Sequence, residues 1–333
     1  MTEQPDVIVK LDDRVRLMSA VLAATDYPEK AQKAKPHGTH AHARATRKRM
    51  AEFSTHPAVQ NTQTLLEEGT PLEALFALIM LMEWPSLKIS ELPSFAPADY
   101  NNQLRDVYEK ARLAEFWQDE QAVWDKGLHE AKTVFNHTEI KPFFEPFFGT
   151  IKEELCFLPS VSYPTSYDVG FQIHDSLICI APPPLAWGDS PPWPYDETTM
   201  ISHSYNAAIT AFGDILLRNF LRAHASELED IVTMELPLSD QFKAQYPSWE
   251  EQFATLFLSA LVAMYLEEHV DEKEYKSHML MEKKVRGLTN LPGVVSVMRR
   301  YLQEVGGSNY SNLIEFLPIF PKQLRVAQRI VRF

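Results

Sequence analysis

The stretch Asp196-Glu197-Thr198-Thr199-Met200-Ile201-Ser202-His203-Ser204-Tyr205-Asn206 joins a helix-start signal to one metal-capable side chain. Asp196 is a good cap, and Ile201, Tyr205, Ala208, Phe212, Ile215, Leu216 and Phe220 follow at the 3.6-residue period of a helix. Thr199 and His203 stand four apart on a different face of that helix. A catalytic zinc needs three protein ligands and an open water position, and a helix can supply two of the ligands four residues apart. Here that pair would be Thr199 and His203, with Met200 where the general base should stand. Neither Thr nor Met replaces an imidazole or takes a proton from water, so this site is expected not to hydrolyse peptides and to hold no metal or other cofactor.

Outward from this helix the texture changes on both sides. Upstream lies a proline-rich loop, Pro182 to Pro194, and before it short runs such as Glu154–Leu158, Val169–His174 and Leu177–Ile180. β-Branched and aromatic residues between turn formers predict strands there. Residues 12 to 140 read as successive helices: Asp12 and Asp13 can cap the first, Arg44 to Phe53 gives another, and Pro57 and Pro71 each sit at a first helical turn. Two more are expected between Ala98 and Asn136. Downstream, Trp249 to Glu268 repeats an amphipathic pattern through Phe253, Leu256, Phe257, Ala260, Leu261, Met264 and Tyr265. The predicted fold class is α+β, mostly helical with a small mixed β-sheet in the middle. Its expected division is 1–225, holding the N-terminal helices, the sheet and the His203 helix, and 226–333, a helical C-terminal part, the two forming one compact unit.

Composition removes several function classes. The 333 residues carry 45 acidic against 32 basic side chains, a formal charge of −13, which works against binding a polyanion. Arg44, Arg47, Lys48 and Arg49 form one basic cluster, read as a solvated helix face, so no nucleic acid is expected. The apolar run Leu72 to Met82 is interrupted by Glu73 and falls well short of the roughly 20 residues of a membrane span, and Met1 to Asp13 has no apolar run suited to export. A cytoplasmic protein with no membrane partner is the expectation. Glycine, at 11 residues, is about half as frequent as usual, and neither G-x-G-x-x-G, a P-loop nor a G-x-S-x-G elbow is present. Cys156 and Cys179 lack Cys-x-x-Cys spacing; two buried thiols is the preferred reading, with pairing across neighbouring strands left open.

Four further motifs recur in order: Asp12-Asp13-Arg14-Val15, His56-Pro57-Ala58-Val59, His203-Ser204-Tyr205 and Tyr310-Ser311-Asn312-Leu313-Ile314-Glu315-Phe316-Leu317-Pro318. Together they resemble a bacterial family of predicted gluzincin-type metallopeptidases catalogued as a domain of unknown function. The resemblance implies a zincin-like architecture, in which an edge strand borders a substrate cleft beside the metal helix. It places the first zinc histidine at Thr199, the glutamate base at Met200, the second histidine at His203 and the third ligand, a glutamate, near Thr255. Two of three ligands and the base are missing, which implies a degenerate member, a pseudo-metallopeptidase. The former cleft would be lined by Phe171, His174, Trp187, Trp193 and Tyr205 and would take an unknown peptide or protein partner, for instance a peptide paired with the strand Val169 to His174.

Plainer readings stand beside these. His203 can be a histidine hydrogen-bonded at a subdomain boundary, and Trp187, Trp193 and Tyr195 can cap a core beneath a loop. His37, His40 and His42 form a His-x-x-His-x-His set, but His40 and His42 would diverge on a helix. Two other functions remain open: an active metal-dependent hydrolase using displaced ligands such as His203 with His174 or His224, and a helical scaffold or regulatory protein unrelated to zincins.

Overall fold

The computed structural model describes residues 5–307 and 309–331, the last four of these in backbone only. The first four residues of the Met1–Asp13 stretch read for export therefore lie outside the described residues. In chain order the elements are β1 (Val7–Val9), α1 (Asp13–Ala23), α2 (Tyr27–Ala34), α3 (Ala41–Met50), α4 (Pro57–Glu67), α5 (Leu72–Met80), α6 (Tyr100–Lys110), α7 (Leu113–Asp119), α8 (Gln121–Phe135) and α9 (Ile140–Phe148). There follow β2 (Glu154–Pro159), β3 (Val169–Ile173), β4 (Ser176–Ala181) and α10 (Ile201–Ala223). The remainder is helical: α11 (Ala225–Leu228), α12 (Asp240–Gln245), α13 (Trp249–His269), α14 (Glu272–Val285), α15 (Leu291–Glu304), α16 (Leu313–Phe316) and α17 (Phe320–Val331). This is an α+β chain dominated by helix, with one small mixed sheet.

Two compact units share the chain. One comprises residues 1–137 and 153–207, the other 138–152 and 208–333. The sequence reading divides the chain at 225/226; the units divide at Ala207/Ala208, inside α10, and the segment around α9 belongs with the C-terminal helices. The cause lies in the aromatic side of α9. Phe143 meets Tyr265 edge-on at 5.2 Å, Phe147 meets Phe257 at 5.4 Å and stacks on Tyr301 at 5.6 Å. Such ring pairs add stabilisation beyond their buried area, and a composition break along the sequence does not reveal them.

In the first unit the local signals act as their chemistry dictates. Asp12 accepts the Arg14 N–H at 2.9 Å and starts α1, while Pro57 and Pro71 introduce α4 and α5, where a missing N–H costs no helical bond. The sheet order is β1-β2-β4-β3, with β1, β2 and β4 parallel and β3 antiparallel to β4. Register sets Ile8, Cys156, Ile178 and Phe171 in one row across the four strands. That face, with Leu158, Ile180 and Val169, is buried with Val21, Phe76, Ile79, Leu104 and Trp117 of the N-terminal helices. Because side chains alternate along a strand, Leu155, Phe157, Leu177 and Cys179 point to the other face. There Phe157 packs against Phe135 of α8 at 4.6 Å and against Tyr195 at 6.1 Å. Helices thus cover both faces, as a sheet with three parallel strands requires.

The same alternation closes the question of the cysteines. Cys156 lies opposite Ile178 and Cys179 opposite Phe157, so the two thiols project to opposite faces; both are buried, and they form no disulfide with each other. In the second unit α13 is buried on nearly all sides and is started by a capping box: the Ser248 hydroxyl accepts the Glu251 N–H at 3.1 Å while the Glu251 carboxylate accepts the Ser248 N–H at 3.0 Å. Among the described residues no helix is long and apolar enough to cross a membrane.

Candidate functional site

The helix that carries His203, α10, begins later than its sequence suggests, at Ile201 instead of directly after Asp196, which lies in a turn. The intervening residues form tight turns: Glu197 N–H donates to Pro194 O, Met200 N–H to Glu197 O and His203 N–H to Met200 O. Glu197 also draws Thr199 out of a helical pattern, accepting its hydroxyl at 3.1 Å and its N–H at 3.4 Å. Thr199 and Met200 therefore occupy the approach to the helix, and only His203 stands on it. Short polar side chains that bond locally compete with helix in this way.

His203 is half-buried, and its Nε2 faces the carbonyl of Pro182 at 3.4 Å. A carbonyl can only accept, so in this contact Nε2 carries the proton and the lone pair of the ring lies on Nδ1. The neighbouring Ser204 hydroxyl donates to Tyr195 O at 3.3 Å, and the Tyr205 hydroxyl donates to Val134 O at 3.0 Å. Thr255, the position implied for a third ligand, is partly exposed on α13 and belongs to the second unit. Among the described residues no group of three His, Cys, Asp or Glu side chains comes together in a metal-holding arrangement.

The tyrosine beside this helix start closes the end of the sheet. Tyr195 is 1% exposed; its hydroxyl donates to the carbonyl of Ala181, the last residue of β4, at 2.7 Å and accepts Ser160 N–H, just after β2, at 2.9 Å. Beyond it opens a cavity of about 420 Å³ at the C-terminal ends of parallel strands, where open α/β sheets commonly bind ligands. One wall is α8, with Val123, Lys126 and Glu130; the other is the proline-rich loop, with Pro183, Trp193 and Tyr195. Gly127 permits the approach, since a Cβ there would lie 3.2 Å from Val161 and 3.7 Å from the Tyr195 ring.

Besides Tyr195, three titratable groups line this cavity: Lys126, Glu130 and His40. Glu130 accepts the Tyr195 N–H at 3.3 Å and lies 3.8 Å from the Lys126 ammonium; burial raises its carboxyl above the ordinary value. His40 caps α3, its Nδ1 accepting the His42 N–H at 3.1 Å. Burial first, and then the neighbouring His42, Arg44 and Lys126, push His40 down to about 4. At neutral pH it is an uncharged ring whose Nε2 carries the proton.

The His-x-x-His-x-His set is split three ways. His37 Nδ1 donates to Lys35 O at 2.6 Å and its Nε2 meets the Thr165 hydroxyl at 2.7 Å, while His40 faces the cavity. His42 is buried, with Nδ1 on Glu120 at 3.0 Å and Nε2 accepting from the Trp124 indole at 3.0 Å. His40 stands outside α3 as its cap and only His42 is on the helix, so it is the cap geometry that separates the two rings. Gly38 sits so close to the proline-rich loop that an added Cβ would fall 1.8 Å from Ser190 O, which brings this histidine segment and that loop together.

The residues expected to share one cleft are distributed. Trp193 lines the cavity, and Tyr205 packs against Phe135 at 5.8 Å nearby. Phe171 is buried in the core on the opposite sheet face, His174 stands at positive φ in the β3–β4 turn, and Trp187 is 90% exposed. What sequence reading missed is the contribution of α8: Lys126 and Glu130 are four apart on a helix, an ordinary surface pairing until the loop from Pro182 closes over it. In comparisons with protein-family models, curated proteins and solved structures the chain matches none.

Proposed function

We propose that this chain is a non-catalytic, zincin-like binding protein, and that it takes a peptide segment in the cavity between α8 and the proline-rich loop. The observation that carries the reading is the fate of His203. The one imidazole at the metal-helix position spends its Nε2 proton on Pro182 O, and the next residue, Pro183, begins the wall of the cavity. The ligand and base positions at 199 and 200 hold Thr and Met in a turn, which supplies neither an imidazole ligand nor a general base. What remains is a concave surface of proline and aromatic rings with a few fixed polar groups, the usual make-up of a binding site. Glu130 offers an acceptor and the His40 Nε2–H a donor, the two roles that a peptide unit complements.

Two measurements test this. Metal analysis of the dialysed protein should find zinc far below one equivalent; stoichiometric zinc would favour a hydrolase with displaced ligands instead. Peptides selected from a random displayed library should lose binding to a Val123→Trp variant, which fills the cavity from α8, while circular dichroism stays unchanged. Selected peptides that bind both forms equally would remove the cavity from the reading.

A further inference from the structure

A second cavity, of about 660 Å³, opens on the other side of the His37–His40 segment and has a different chemistry. Its wall is one face of α3, where Arg44, Arg47 and Lys48 recur at the spacing that places side chains together on a helix. In a chain of formal charge −13 this concentration of cations is a local exception. Among the described residues no carboxylate lies within ion-pair distance of Arg44 or Lys48; Arg44 instead donates to the carbonyl of Thr39, which leaves its charge uncompensated. Arg47 is paired with Glu29, and Asp189 contributes one carboxylate to the lining. The floor carries Tyr163, 3% exposed, whose phenol is raised by burial and drawn back by the nearby Arg47 and Arg44. Pro28 and Ala51 supply apolar surface beside it.

We infer that this cavity binds a small molecule bearing a phosphate monoester, with Arg44 and Lys48 on the phosphate and Tyr163 beside its organic part. A phosphate monoester carries nearly two negative charges at neutral pH, which matches the two uncompensated cations better than one carboxylate does. Guanidinium presents a fixed fork of donors to such oxygens and ammonium a mobile point charge, so the pair can hold the group from two directions. A nucleic-acid strand is a poorer match, because it needs a basic track and the charge here is confined to one helix face. The site is separate from the cavity under Trp193, so either can fail without the other.

Phenyl phosphate is a suitable probe, titrated calorimetrically at low ionic strength alongside vesicles containing phosphatidic acid. Saturable one-site binding is expected, weakened about tenfold or more in the Arg44→Gln/Lys48→Gln variant and unchanged in Lys132→Gln, with all forms equally folded by circular dichroism. Response to the vesicles alone, lost in the double variant, would place the phosphate on a lipid headgroup and keep the site. Absence of binding to either probe at millimolar concentration overturns the inference. So does binding that the double variant retains, or retention of single-stranded RNA without any response to phenyl phosphate.

Discussion

The indole N–H of Trp124 donates to Nε2 of His42 at 3.0 Å, and the imidazole passes its own Nδ1 proton toward Glu120, also at 3.0 Å. The two rings meet edge to face at 5.2 Å, the same indole carries the Arg16 guanidinium 4.7 Å from its centre, and the Trp117 ring lies 4.6 Å from that cation. A histidine that looks like a metal ligand in sequence is thus a fixed component of a buried polar network. Trp124→Phe keeps a ring over Arg16 but removes the indole donor, leaving the Thr46 hydroxyl, 3.3 Å from the same Nε2, to serve the imidazole lone pair. The expected loss is about 1 kcal/mol of unfolding free energy, measured by urea denaturation. An unchanged midpoint would mean that the network is open to water and not closed as described.

Stability should fall as the solution is acidified from neutrality. Burial lowers His42 and holds His40 down to about 4, against 6.5 for an ordinary imidazole. Below about 6.5 the unfolded chain therefore binds protons that the folded chain refuses, so the unfolded state gains as pH drops from there toward about 4. Above 6.5 both states hold neutral rings and this contribution is flat. Urea midpoints at a series of pH values should decline across that window, and less steeply in His40→Asn, which keeps a side chain able to cap α3. Identical slopes in the two proteins would show that His40 takes no part.

Much of the helical framework was legible because its causes are local. Asp12 and the prolines at 57 and 71 act within a few residues of themselves, and the runs that became β2, β3 and β4 stand out from their turns. β1 escaped because Val7-Ile8-Val9 is three residues long and gains its meaning only from parallel pairing with Leu155, Cys156 and Phe157. Asp196 misled for a physical reason too: it is a good cap by type, yet Glu197 and Thr199 satisfy each other and defer the helix to Ile201. For the site, Trp193 and Tyr195 were visible as loop aromatics, but the wall opposite them is formed by α8, some seventy residues earlier in the chain, and the roles of His42 and His40 depend on Trp124, Glu120 and the covering loop. Such pairings leave no periodic trace in a single sequence.

Gly38 should be intolerant of the smallest side chain. It has no positive φ to protect; the constraint is the carbonyl of Ser190, which a Cβ would meet at 1.8 Å. Gly38→Ala must push the proline-rich loop away from the His37–His40 segment, at a cost on the order of 1 to 3 kcal/mol typical of overpacking. Both cavities share this seam, so the fluorescence of Trp193 and the binding of phenyl phosphate should change together in that variant. A variant with wild-type stability and spectra would show that the loop does not rest on Gly38 in solution.

The thiols report on whether the sheet is covered on both faces. Cys156 faces the N-terminal helices and Cys179 the side of Asp168 and Tyr195, and each is fully buried. Burial, with the Asp168 carboxylate adding to it, pushes the Cys179 thiol well above its ordinary value, so little of the reactive thiolate is present at neutral pH. In the native protein both cysteines should resist an aromatic disulfide reagent and react with two equivalents only after denaturation. Oxidant should produce no intramolecular crosslink, because a disulfide requires β-carbons about 4 Å apart and these project from opposite sides of the sheet. Rapid labelling of Cys179 alone would mean that α8 and the Tyr195 turn lift readily from that face, and the cavity beside them would then be a product of opening, not a fixed pocket.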